Sequence, residues 1–236
     1  MLQRFQYLLS FGVMEPIYPL ILKGEIQQNK SYKNDMNNIV VDIVDSDFFY
    51  NTNYKLHYIS PAKMLFRFNN MRNNYQILFK NWFKKAEPLK LCLDLFFSIF
   101  YNQRIYIEQE FLNLYQSLEF YLGYKNCKNP KKPNMNRGIK QLIDQNYLIL
   151  GNIIENNDDL VNKIIRTRQY LVHPENKTDT KAIKGGDLLP VIEKIRILFI
   201  ACLLIELGFS QEDAKIIFSK SVKIKRLSEL MLIKWD

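Results

Sequence analysis

From Asn73 onward, apolar residues recur at helical spacing in one segment after another, and that repetition leaves little choice beyond a packing of helices. In NYQILFKNWFKKAE, Ile77, Leu78, Trp82 and Phe83 follow the spacing of one helix face. Pro88 restarts the chain as PLKLCLDLFFSIFYN, apolar nearly all round, which predicts a helix lying in the core. Across Ile107 to Leu122, Phe111, Leu114, Tyr115, Leu118 and Leu122 form one stripe, with Gly123 placed to stop the helix. Further helices are predicted at about 138–150, 158–172, 187–207 and 211–219, and the amphipathic VKIKRLSELMLIKW follows them.

The first 60 or so residues read differently. Short β-leaning runs, Ile17 to Leu22 and Ile39 to Val44, alternate with Asn-rich polar stretches such as QQNKSYKNDMNN. The expected architecture is therefore mainly α, with a small α+β N-terminal region over 1–72 and a helical domain over 73–236. A hydrophobic content of 47% supports a folded chain rather than a disordered one.

Several kinds of chemistry fall away by inspection. His57 and His173 are the two histidines, and Cys92, Cys127 and Cys202 are scattered, so neither a multi-ligand zinc site nor a CxxC motif can be built. No metal and no cofactor is expected. An odd number of widely spaced cysteines fits a reducing compartment, which makes a cytoplasmic location the expectation. Neither GxGxxG, GxxxxGK[ST] nor GxSxG occurs, and Gly185-Gly186 beside Lys181 and Lys184 reads as a flexible loop ahead of a helix. The opening MLQRFQYLLSFGVMEP lacks a small-residue cleavage site, and the apolar runs fall far short of the roughly 18 to 20 residues of a membrane span, so no membrane partner is expected.

Charge points to a polyanion. Lys and Arg number 33 against 24 Asp and Glu, a formal +9. Lys125, Lys128, Lys131, Lys132, Arg137 and Lys140 supply six of those charges between residues 125 and 140, with no acid among them and Pro130, Pro133 and Gly138 as breakers. Such a loop could hold RNA phosphates, or be simply a solvated surface. Tyr121, Tyr124 and Tyr170 are candidate base-stacking rings, with burial in the core as the plainer role.

The most informative stretch is DDLVNKIIRTRQYLVHP, 158 to 174. At 100° per residue, Leu160, Val161, Ile164, Ile165, Leu171 and Val172 form an apolar stripe with Arg168 at its centre. A buried arginine needs a partner, and Glu119, at the edge of the 107–122 stripe, is the carboxylate expected to supply it. Arg166, Gln169 and His173 lie off the stripe. Pro174 disfavours further helix, so the last turn should free the His173 imidazole to approach Arg168.

Arg168 and His173, with four residues between them, resemble the R-x4-6-H signature of HEPN domains. The segment TRQYLVHPEN is similar to the corresponding segment of the Apea-like HEPN branch, and LQRFQYLLSFG, the NWF at Asn81 to Phe83, and FLNLYQSLEFY also resemble that branch in the same order. The resemblance implies a HEPN-type helical bundle and a metal-independent endoribonuclease, a toxin serving bacterial antiphage (abortive infection) defence. It further implies a homodimer with a composite cleft. RNA cleavage of this kind needs a proton acceptor for the 2′-hydroxyl, a cation for the phosphorane charge and an acid for the leaving oxygen. The resemblance gives proton transfer to His173, phosphate contact to Arg168, orientation of the phosphate or a water to Gln169, and support to Glu119 and Arg166. The chain departs from the family pattern at Gln169, where Asn, Asp or His is usual, and in its short N-terminal region. The alternative is a non-catalytic HEPN module that binds RNA or a protein, with Arg168 held as a structural ion pair.

Overall fold

The computed structural model describes residues 2–18, 21–26, 39–45, 59–102, 104–126, 134–151, 153–154, 158–173, 175 and 181–230. Helix α9, Leu188–Leu207, runs through the middle of the fold because LLPVIEKIRILFIACLLIEL offers an apolar side in every direction, and fifteen of its residues are buried. Gly208 ends it in the left-handed conformation at φ 109°, which a side chain would strain. Asn81 Nδ2 donates to the Leu207 carbonyl at 3.1 Å, closing one of the acceptors that the helix end leaves open.

Among the described residues, α9 packs chiefly against α3 (Tyr75–Lys85), α5 (Ile107–Lys125), α6 (Met135–Gln145), the short α7 (Tyr147–Leu150), α10 (Gln211–Lys220) and α11 (Val222–Leu230). Helix α4, Lys90–Tyr101, packs on α5, and the one-turn α2, Phe68–Met71, leads into α3. Helix α8, Asp158–Val172, lies against α6 and α5 at the rim of the bundle. Mainly-α architecture is thus confirmed. The predicted stripe of α5 is buried throughout.

Four local expectations need correcting. Gly123 does not stop α5, which continues to Lys125; burial of Tyr121 and Leu122 outweighs the roughly 1 kcal/mol that a helical glycine costs. Gly138 is no breaker but an interior residue of α6, where a Cβ would sit 2.6 Å from Leu122 Cδ1, so its bareness lets α6 approach α5. Ile77 is exposed, and α3 buries Leu78 and Trp82 instead. The all-round core helix is α9 rather than α4, whose Leu91 faces solvent.

The small α+β N-terminal region also fails as a separate unit. In α1, Leu2–Val13, Leu8 and Phe11 are buried in the same core as the later helices. Tyr7 stacks on Phe97 at 4.4 Å, Phe11 lies 6.4 Å from Trp82, and Trp82 Nε1 donates to the Arg4 carbonyl at 2.7 Å. The core therefore runs unbroken across residue 72. Strands β1, Ile21–Ile26, and β2, Ile39–Asp45, pair antiparallel with Ile21 opposite Asp45 and Ile26 opposite Ile39. The sheet among the described residues has two strands, too little to found a domain.

Candidate active site at the end of helix α8

Helix α8 buries Leu160, Val161, Ile164 and Thr167. Thr167 thus takes the central place the apolar pattern assigns to Arg168, and Val172 is exposed. The threonine can be buried because its Oγ1 accepts the Ile183 N–H at 3.0 Å, which also fastens the segment before α9 to α8. Displaced from the centre by one position, Arg168 sits on the border of the buried face, half-exposed.

That border position lets the arginine meet the histidine. The His173 N–H donates to the Gln169 carbonyl at 2.9 Å, the last helical bond, and the imidazole turns back so that Nε2 lies 3.3 Å from Arg168 Nη1. Arginine can only donate, so in this contact Nε2 is the acceptor, and the ring N–H is assigned to Nδ1. Nδ1 faces Glu175 Oε1 at 3.5 Å, and that carboxylate favours the same tautomer. Both His173 and Glu175 are well exposed, so water and substrate reach the imidazole.

Beneath the pair lies Tyr115 of α5. The Arg168 guanidinium carbon is 5.9 Å from its ring centroid, a cation over an aromatic face. Burial, and then the Glu119 carboxylate, push the Tyr115 hydroxyl up to about 12, with Arg168 pulling the other way. The phenol stays neutral, and the ring acts as a floor under the guanidinium. Glu119 acts on this floor from α5, and Arg168 contacts both His173 and Tyr115.

The other expected residues divide. Gln169 and Arg166 line a groove between α8 and the start of α6, on the flank of α8 turned from Tyr115. Lys125 is an ion-pair partner of Glu206, with Nζ 3.0 Å from Oε1. Arg137 is exposed in the first turn of α6, and Lys140 is half-buried. Lys128, Lys131 and Lys132 lie outside the described residues, as do Cys127, His57 and Pro174. Tyr121 is buried and donates to Glu206 Oε1 at 2.9 Å. Tyr170 is half-buried with Lys184 Nζ 4.5 Å from its ring centroid. The sequence reading missed Glu175 and the Tyr115 floor; the first was signalled by its place two residues after His173, the second by no local pattern. Among the described residues no helix is long and apolar enough to cross a membrane.

Comparison with known proteins bears on this part of the chain. Residues 112–213 match the family model described as Apea-like HEPN, an interval that holds α5 from Leu112, all of α6 to α9, and the Arg168–His173 pair. No curated protein and no solved structure matches the chain.

Proposed function

With residues 112–213 placed in the Apea-like HEPN family, we propose that this chain is an endoribonuclease whose reactive groups are Arg168 and His173. The observation that carries the reading is the 3.3 Å approach of Arg168 Nη1 to His173 Nε2 at an exposed helix end. A phosphate entering there would accept from Arg168, which then leaves Nε2 open to take the proton of the adjacent ribose 2′-hydroxyl. The 2′-oxygen bonds to phosphorus, the bond from phosphorus to the 5′-oxygen breaks, and the strand ends in a 2′,3′-cyclic phosphate. Arg168 stabilises the negative charge that gathers on the phosphoryl oxygens. The departing 5′-oxygen needs a proton from an acid on the opposite side. A second copy's imidazolium fits that role, which is why a homodimer with a composite cleft belongs to the proposal.

Purified protein is expected to cut RNA in EDTA and leave cyclic phosphate ends, and His173→Ala to abolish the cutting while the thermal melt stays unchanged. Cutting at the wild-type rate by that variant would remove His173 from the mechanism. The antiphage role rests on the family resemblance. Its check is whether wild type, and not His173→Ala, arrests phage growth in a bacterial host. A second reading, a binding module in which Arg168 is structural, draws on the Tyr115 contact and on Glu119 beside that ring. Strong coupling between Arg168→Ala and Glu119→Ala in a double-mutant stability cycle would favour it.

A further inference from the structure

The groove that holds Gln169 and Arg166 has a composition unlike the rest of the surface of α8. It encloses about 600 Å³, a size suited to one nucleotide, between the start of α6 and the outer flank of α8. Asn134, Asn136, Asn162 and Gln169 bring four carboxamides to it, Arg166 brings a cation, and no acid is among the described lining residues. Ile165 and Met135 supply apolar wall.

The amides are arranged rather than merely collected. Asn134 Oδ1 is occupied in capping α6, where it accepts the Arg137 N–H at 3.1 Å. Asn136 Nδ2 donates to Asn162 Oδ1 at 2.8 Å. This pair uses one donor group and one acceptor, so an NH2 and a carbonyl oxygen remain beside each other whichever way round the two amides are set. A neighbouring donor and acceptor is what the Watson–Crick edge of a nucleobase presents, and unstacked bases of single-stranded RNA are read on that edge. The groove also lies close to the reactive pair. Gln169 stands in the groove wall while its own carbonyl holds the His173 N–H, about 6 Å of helix rise apart.

We infer that this groove takes the base of the nucleotide next to the scissile phosphate, with Asn162, Asn136 and Gln169 reading its hydrogen-bonding edge and Arg166 contributing charge. The inference rests on the nuclease reading for its position, and on the amides alone for its ligand. Gln169 then serves base selection rather than phosphate orientation, because the helix turns it from the Tyr115 side on which Arg168 lies. The departure from the Asn, Asp or His usual at that position is the longer reach this role asks for.

The test uses RNA pentamers identical except at one position, their binding to His173→Ala followed by fluorescence anisotropy, with the free nucleoside monophosphates as a second arm. The expected result is a preference for one base at one position of about three- to tenfold, the worth of one or two net hydrogen bonds. Asn162→Ala added to that protein should flatten the preference, and Asn162→Ala alone should shift the bases found at cut sites. Asn162 is exposed, so an unchanged melting temperature is the control for folding. Equal binding of every pentamer, a preference that survives Asn162→Ala, or monophosphates binding as tightly as pentamers would each overturn the inference. If the wild type cuts no RNA yet shows the Asn162-dependent preference, the base site stands and the nuclease reading falls. Cutting without any base preference at the cleft fails the groove alone.

Discussion

Two arginines of this fold meet opposite surroundings. Arg196 in α9 is largely buried, in contact with the Glu110 carboxylate and with its Nε 3.1 Å from Glu193 Oε2. Arg168 in α8 is half-exposed, rests on the neutral Tyr115 ring and touches the His173 imidazole. A guanidinium fixed between carboxylates has its charge answered within the fold, and a phosphate would have to displace them. A guanidinium on an aromatic floor beside a histidine is oriented while its charge is still available to a substrate. The sequence pattern pointed to Arg168 as the arginine needing a carboxylate. Arg196 shows such an arrangement, set between Glu110 and Glu193.

The Arg196 cluster is also strained electrostatically. Burial raises the Glu193 carboxyl above its ordinary range, Arg196 pulls it down, and the nearby Glu110 charge raises it further. Its Oε2 and Arg196 Nε are close without the alignment of a hydrogen bond. Glu206, at the other end of α9, is the contrasting case. Burial would raise it too, but hydrogen bonds from Lys85, Lys125 and Tyr121 win, and its carboxyl lies below the ordinary range. Desolvation thus acts on both acids, and the number and alignment of the donors decide the sign.

The comparison can be broken most forcefully at Arg196. Arg196→Ala leaves two acids without their cation at low exposure and should cost about 3–5 kcal/mol in chemical denaturation. A loss no greater than that of Arg168→Ala would erase the distinction. Next in size is Glu206→Gln, expected to cost about 1–3 kcal/mol near neutral pH through its weakened charged hydrogen bonds. Because the folded carboxyl is depressed, its stabilisation is full above the unfolded value of 4.5 and is lost as pH falls through the lower folded value. The stability gap between wild type and Glu206→Gln should therefore close on acidification below about 4.5. Glu193 carries the opposite sign: its raised carboxyl costs stability at neutral pH, and acidification towards its folded value relieves that cost.

Smaller effects separate the basic residues. Lys125→Ala should act on stability, being paired to Glu206, and leave the salt dependence of RNA binding alone. Arg137→Ala, exposed at the start of α6, should leave stability alone and lower the salt slope by about one if it meets a phosphate. Interchanged outcomes would mean that the paired lysine, not the open arginine, faces RNA.

Much of this was legible in the sequence where the information was periodic. The stripes of α5 and the bounds of α8, α9 and α10 follow from apolar spacing, and the Arg168–His173 approach follows from one helical turn ended before Pro174. What stayed hidden depends on contacts between segments distant in sequence. Thr167 looks polar and is buried because Ile183 satisfies it. Gly138 looks like a breaker and is a point of close helix approach because of Leu122. Lys125 looks like part of an RNA-binding run and is claimed by Glu206 across the bundle. The groove beside α8 joins Asn136 to Asn162 from two helices, and neither asparagine carries a signal of its own.

Under the nuclease proposal, Arg168 is held for substrate rather than for the fold. The most direct measurement is the RNA cleavage rate of Arg168→Ala at a temperature where its melt shows it folded. The expected result is a loss of about a hundredfold or more, the scale of removing a donor to developing charge, with a stability cost of about 1 kcal/mol or less. A folded Arg168→Ala protein that cleaves at the wild-type rate would contradict that proposal.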